Sequence, residues 1–296
     1  MINKYEVPSY QPIIIIGAGR SGTNMLRNTL TQLPGFGTWP CDEINYIWRH
    51  GNVTKPTDAF SPELATSEIK SFIREKFNQL ALKNSLSYVV EKTCANSLRV
   101  GFVHQIFPNA KFIHIIRDGR DVVISAQKRW TAPLDLPYIL KKAKFVPPTD
   151  IPYYSTRYLA NRLHRLFSPE KRLASWGPRF EGMSEVLDQY SCPEVCAIQW
   201  QRCVEQADAE LNKIQPKQVY RVRYEDYVIN PMIELENMGK FLDIEIDQKL
   251  NQQVSQQISS SSIGSWKKEL DNQIIKLIQP LIEKTLTRYN YNNSIV

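Results

Sequence analysis

Residues 12–30, PIIIIGAGRSGTNMLRNTL, constrain the fold more than any other stretch of the chain. Pro12 opens the apolar run Ile13 to Ile16, which suits a strand buried on both faces. Gly17-Ala18-Gly19-Arg20-Ser21-Gly22-Thr23-Asn24 follows, and Met25 to Leu33 has helical composition. Strand, glycine-rich turn and helix make an anion-cradling unit, because backbone N–H groups reach an oxyanion beside the positive end of a helix. A nucleoside-triphosphate loop of type G-x-x-x-x-G-K-[ST] would carry Lys after its second Gly. Here no Lys follows Gly22, and Arg20 precedes it. That favours a bidentate, metal-free grip on phosphate or sulfate. A GxG alone is equally well a tight strand-to-helix turn, so a second feature has to decide.

Length and composition narrow the classes. With 296 residues, 42% hydrophobic and 23% charged, the chain can bury a full globular core. The net charge of +7 suits a polyanionic ligand but does not call for nucleic acid, and no RNA-binding signature, zinc-finger spacing or long basic run is present. The N-terminal MINKYEVPSYQP has no apolar segment of signal-peptide or anchor length, so no transmembrane segment is expected. Cys41, Cys94, Cys192, Cys196 and Cys203 are odd in number without a C-x-x-C pair, and the four His are scattered. The expectation is a reduced, cytoplasmic, metal-free protein.

Strands and helices alternate along the chain. Asp42-Glu43 precedes the apolar Ile44 to Trp48 and offers two candidate general bases; a helix-start charge pair is the competing account. Ser67 to Leu82 carries apolar residues at helical spacing, and Tyr88 to Thr93 reads as a second buried strand ending in Glu91-Lys92. A helix over Ser97 to Phe107 and a strand over Lys111 to Ile116 follow, then Arg117-Asp118-Gly119-Arg120-Asp121 and another helix through Ser125 to Trp130. The alternation predicts a P-loop-like, three-layer α/β fold with a central, mostly parallel sheet flanked by helices. Residues 131–192 break it with seven prolines, and Arg157, Arg162, Arg165, Lys171, Arg172 and Arg179 are interleaved with aromatics. This region is expected to be an inserted, mostly helical cap on one domain spanning 1–296, either as a lid over an acceptor or as a solvated basic face. Helices over Pro193 to Ile214 and Met232 to Leu242 flank a strand over Val219 to Tyr224. Ser259 to Ser265 is a Ser/Gly loop closing on Trp266-Lys267-Lys268, before a last helix to about Tyr289.

The second feature is the unit at 111–125. Arg117 lies just past a strand and Ser125 about two turns into the next helix, so this unit also offers a guanidinium, a hydroxyl and a helix terminus to a phosphate. Two such units on neighbouring parallel strands suit a ligand with two separated anionic groups.

On these residues the chain resembles the sulfotransferase superfamily, whose donor is 3′-phosphoadenosine 5′-phosphosulfate (PAPS) and whose product is PAP. IIIIGAGRSGTNML resembles its 5′-phosphosulfate loop, which implies binding by Gly19, Arg20, Ser21, Gly22, Thr23 and Asn24. FPNAKFIHIIRDGRDVVIS is similar to its 3′-phosphate segment, with Arg117 and Ser125 in the binding positions. VRYEDY resembles the stretch whose Tyr, here Tyr224, lies by the nucleotide. SSSSIGSWKKEL resembles the loop covering it, which implicates Ser262, Trp266 and Lys267. The likeness is nearest to the bacterial group related to tyrosylprotein sulfotransferases, in which an acidic pair follows the first helix and a Lys follows the next strand. It implies Glu43 as general base, Lys92 as the cation at the transferring sulfuryl, and Arg20 beside it; a cytosolic-type catalytic His is absent, so Asp42 stays open as the base. The implied reaction is in-line transfer without a metal to a hydroxyl of a glycan, small molecule, lipid or peptide tyrosine. Two alternatives stand beside it: a P-loop nucleotide or small-molecule kinase using Asp118 or Asp226, and a non-catalytic module that binds PAP or sulfated glycans.

Overall fold

The protein is described from a computed structural model, over residues 9–132, 142–167, 173 and 175–291; of helix 151–167, the side chains at 161, 162 and 164–167 are not described. Five strands form one sheet in the order β2-β3-β1-β4-β5, and every pairing is parallel. They are β1 (Gln11–Ile16), β2 (Phe36–Gly37), β3 (Tyr88–Lys92), β4 (Lys111–Ile116) and β5 (Val219–Arg223). The helices that matter to the site are α1 (Thr23–Leu30), α2 (Asn45–Arg49), α3 (Ser67–Asn84), α4 (Val100–Ile106), α5 (Gly119–Trp130), α6 (Ile151–Phe167), α7 (Cys192–Leu211), α8 (Tyr224–Ile229) and α9 (Asn272–Arg288).

The isoleucine run explains the layers. Side chains alternate along a strand, so Ile14 and Ile16 enter one core while Ile13 and Ile15 enter the other. The first core packs α2, α3 and α4 through Trp48, Ile73, Phe77, Phe102 and Val103; the second packs α1 and α8 through Leu26, Leu30 and Tyr227. A third cluster joins α5, α7 and α9 through Val123, Trp130, Trp200, Val204, Ile278 and Ile282. All four isoleucines are fully buried, as a central parallel strand requires.

Three local expectations change. Pro34-Gly35-Phe36-Gly37 reads in the sequence as a turn, but Phe36 and Gly37 pair with Tyr88 and Val89 as the edge strand β2. The single helix over Ser97 to Phe107 is instead a 3-10 turn, Cys94–Leu98, followed by α4. The break falls at Arg99, whose guanidinium is drawn inward to Asn96 at 2.8 Å, Asn45 at 2.5 Å and Asp58 at 3.7 Å. The strand expected to reach Tyr224 ends at Arg223, and Tyr224 starts α8. Within 131–192, α6 and a short helix, Met183–Gln189, are present; residues 133–141, 168–172 and 174, with Lys171 and Arg172 among them, lie outside the described residues.

Candidate active site

All five strands run the same way, so the ends of β1, β3, β4 and β5 open on one edge of the sheet, where loops can converge on a ligand. At the tip of β1 the chain turns sharply. The Ser21 N–H donates to the Ala18 carbonyl at 3.2 Å, Arg20 takes a φ of 73°, and Gly22 caps α1 with a φ of 88°. A Cβ on Gly22 would stand 2.4 Å from the Tyr224 ring, and one on Gly17 would stand 2.7 Å from the Ile115 carbonyl oxygen. Both positions therefore need glycine, the first for conformation and space, the second for close approach of β1 to β4. The N-terminus of α1 carries no side-chain cap, so its first N–H groups remain available to an anion. The Ser21 hydroxyl is buried without a hydrogen-bond partner among the described residues.

The β4 tip meets this loop directly. Arg20 Nε donates to Ser125 Oγ at 2.9 Å, across 105 residues of sequence. Arg117 Nη1 donates to the Arg20 carbonyl at 3.3 Å and Nη2 to the Ser262 carbonyl at 2.6 Å, while its buried Nε has no hydrogen-bond partner among the described residues. The guanidinium of Arg117 lies 4.3 Å from the Tyr224 ring centre, and the Tyr224 hydroxyl hydrogen-bonds Ser262 Oγ at 2.7 Å. Burial, then the positive charge of Arg129 and of Arg117, lowers the Arg20 pKa, so an anion placed here relieves a standing repulsion.

The third tip carries the acid and the lysine. Glu43, in the segment leading from β2 to α2, accepts from Lys92 Nζ at 3.0 Å and from the Cys94 N–H at 3.4 Å. Lys92 is 4% exposed, and so is no surface cation. Burial pushes the Glu43 carboxyl pKa upward, but Lys92, Lys142 and the bond from Cys94 outweigh it and hold the group down at about 2. The Glu43 charge in turn raises the Lys92 pKa against the opposing effect of burial. Asp42 instead faces Arg27 of α1 at 3.7 Å, with its side chain 40% exposed. Arg49, six residues on and in the sequence a candidate local partner for Glu43, is taken by Asp58 at 2.7 Å.

Behind this pair lies a buried polar network. Thr93 Oγ1 donates to Glu91 Oε1 at 2.5 Å and accepts from the Ile44 N–H at 3.2 Å, which fixes the backbone next to Glu43. Asn96 Nδ2 donates to Glu91 Oε2 at 2.9 Å, and Arg99 links Asn96 to Asn45 and Asp58. Burial raises the Glu91 carboxyl pKa to about 7, although the bond from Thr93 opposes the shift.

The structure thus gathers Gly19, Arg20, Ser21, Gly22, Thr23, Asn24, Arg117, Ser125, Tyr224 and Ser262 around one loop, with Glu43 and Lys92 paired beside it; Thr23 Oγ1 lies 3.7 Å from Cys94 Sγ, next to Glu43. Trp266 is an anchor, buried under the Arg120 guanidinium at 4.0 Å. Lys267 is exposed, its ammonium 5.8 Å from the Trp266 ring centre. Sequence reading missed Asp121, which accepts from the Gly264 N–H at 2.8 Å, the Ser265 hydroxyl at 3.1 Å and the Trp266 N–H at 2.9 Å. It also missed Trp176, which packs over the loop at Gly19. No local signal marks either role, since an acid in a first helical turn reads as a dipole charge.

The family model of the sulfotransferase family matches residues 12–168 and 161–248. The chain belongs to the sulfotransferase family. Its chemistry is therefore sulfuryl transfer, and the protein is an enzyme. No functionally curated protein matches the sequence. Among solved structures, the sulfotransferase domain from the curacin biosynthetic pathway is 14% identical, with 93% of this chain and 98% of that chain covered at a TM-score of 0.53. Sulfotransferase STF9 from Mycobacterium avium is 12% identical, with 95% and 77% covered at 0.53. The sulfotransferase domain of the Synechococcus PCC 7002 olefin synthase is 14% identical, with 94% and 98% covered at 0.51. At these identities the likeness is one of fold. Among the described residues no helix is long and apolar enough to cross a membrane, and no group of three or more His, Cys, Asp or Glu could hold a metal ion.

Proposed function

We propose that this sulfotransferase takes the sulfuryl group from PAPS and passes it to an acceptor hydroxyl, with Glu43 as general base. The observation that carries the reading is the Arg20–Ser125 hydrogen bond of 2.9 Å, which merges two anion cradles into one cationic surface. A ligand with a single phosphate chain has no use for both cradles, whereas PAPS presents anions at its 5′ and 3′ ends. The fit has support in the unpaired donors at Ser21 Oγ and Arg117 Nε, which cost about 1–3 kcal/mol each when buried without an acceptor. When bound, PAPS supplies the activated sulfuryl group.

In this reading Gly19 to Asn24 hold the 5′ end, and Arg117 and Ser125 hold the 3′-phosphate. Tyr224 and Ser262 close over the nucleotide, with Trp266 and Lys267 at the rim of the closing loop. Lys92 meets negative charge developing at the transfer centre, and Glu43 takes the hydroxyl proton. A carboxyl at about 2 is a poor base while Lys92 holds it. Turning Lys92 towards the transfer centre releases Glu43, so one lysine movement supplies the electrophilic charge and restores the base. Asp42, held by Arg27 and more exposed, is less suited to the task. We take residues 1–296 as one catalytic unit with 131–192 as its acceptor-side cap. The five cysteines, all buried and none of them in a disulfide, support a reducing, cytoplasmic setting.

A thermal-shift titration with PAP, ADP and ATP, each with and without magnesium, tests the donor. A ligand bound only by the folded state raises stability by RT ln(1 + [L]/Kd). The expected result is a metal-independent rise with PAP and little with ATP. A magnesium-dependent rise with ATP, and none with PAP, overturns the reading in favour of a kinase.

A further inference from the structure

Helix α6 has two unlike sides. Tyr153, Tyr154 and Arg157 are half-buried, and Tyr154 packs edge-on against Tyr46 at 4.7 Å. On the other side Ile151, Tyr158, Leu159 and Leu163 are 48%, 41%, 59% and 48% exposed. Only three other large hydrophobic residues, Ile229, Ile233 and Leu277, are as exposed among the described residues. The spacing i, i+7, i+8 and i+12 places the four α6 residues along one broad stripe of a helix.

Charge distinguishes this helix from an ordinary greasy surface. Residues 141–172 contain eight Lys/Arg and two Asp/Glu, a net +6 out of the chain's +7. Within α6 itself the charged residues are Arg157, Arg162 and Arg165, and none is acidic. Asp150, just before it, is spent on His50 at 2.9 Å. An exposed apolar stripe on a cationic helix is what an anionic lipid surface binds, since the stripe enters the acyl boundary while the cations meet the headgroups.

We infer that α6 is an interfacial segment that seats the protein on an anionic bilayer surface, with Ile151, Tyr158, Leu159 and Leu163 inserted and the net positive charge of the segment drawing it to the headgroups. The contact of Tyr154 with Tyr46, three residues beyond Glu43, then holds the acceptor side of the site at the lipid–water boundary. An amphipathic hydroxyl compound is concentrated there.

Co-sedimentation of the full chain with vesicles of phosphatidylcholine, alone or with a third of the lipid replaced by phosphatidylglycerol, tests this without any turnover assay. The expected result is pelleting with the anionic vesicles only, reversed by raised salt, and roughly tenfold or more weaker in Leu159→Asp/Leu163→Asp. Circular dichroism melting of the variant should match the parent, and a second variant, Arg162→Gln/Arg165→Gln, should reduce binding partially. Absence of vesicle binding, or equal binding by the Asp variant, overturns the inference. So does a concentration-dependent dimer that the Asp variant abolishes, because the stripe then pairs two chains. Failure of the PAPS reading would leave this measurement untouched.

Discussion

The two halves of the proposed active site, donor and acceptor, are built by different means. On the donor side, contiguous residues at two strand tips do the work. The loop at 17–24 and the turn at 117–125 hold each other through Arg20–Ser125 and Arg117–Arg20, and Tyr224 and Ser262 are hydrogen-bonded to each other beside them. On the acceptor side, Glu43 and Lys92 come from segments 49 residues apart and are propped by the network of Glu91, Thr93, Asn96 and Arg99. The donor side is a local motif repeated on two strands; the acceptor side is a tertiary construction with buried ionisable groups. Buried networks of that kind impose position at a cost in desolvation, so the acceptor side should be the pH-sensitive half.

The sharpest way to break the comparison is Glu43→Gln. If the halves are separable, turnover falls roughly 10²–10⁴-fold while the PAP-induced thermal shift is unchanged. A parallel loss of PAP affinity would show that the pair also builds the donor side. Glu91→Gln comes next. The folded state raises the Glu91 carboxyl from its ordinary 4.5 to about 7, so it binds this proton more tightly than the unfolded chain does. The contribution is present in full below about pH 4.5 and is lost as pH rises through 7. Glu91→Gln should flatten that decline by roughly 3 kcal/mol in pH-dependent denaturation, and parallel curves for the two proteins would sink the assignment. On the donor side, Arg117→Ala should weaken PAP by about 1.5–3 kcal/mol in calorimetry. Unchanged affinity would remove the second cradle. The smallest effect is expected from Asp121→Asn, which loosens the three bonds to residues 264–266. Faster amide hydrogen exchange at Gly264 and Trp266, with about 1 kcal/mol lost in global stability, is the outcome to look for.

The same contrast explains what the sequence disclosed. The parallel three-layer fold and the family are written in short-range pattern: an isoleucine run, glycines before a helix, and Arg117 and Ser125 at one strand-to-helix turn. These features constrain the backbone within a few residues, so they survive reading in one dimension. The edge strand β2 was hidden because two residues, one of them glycine, carry no period. The break at Arg99 was hidden because two of its three partners, Asn45 and Asp58, come from distant segments. Asp121 and Trp176 were illegible for the same reason, since each acts on a loop far away in sequence. Resemblance alone put Glu43 and Lys92 in one site, in separate roles, and did not foresee their ion pair; Arg49 offered Glu43 a local partner and proved to be committed to Asp58.

The contact between Gly22 and the Tyr224 ring has a consequence for the history of the chain. With no room for even a methyl group between them, the two positions form a single heritable unit although they sit in separate motifs. A larger residue at 22 can be inherited only by a lineage that has already given up the ring at 224. In a set of diverged descendants, a residue larger than glycine at 22 should therefore occur only where 224 carries no aromatic ring.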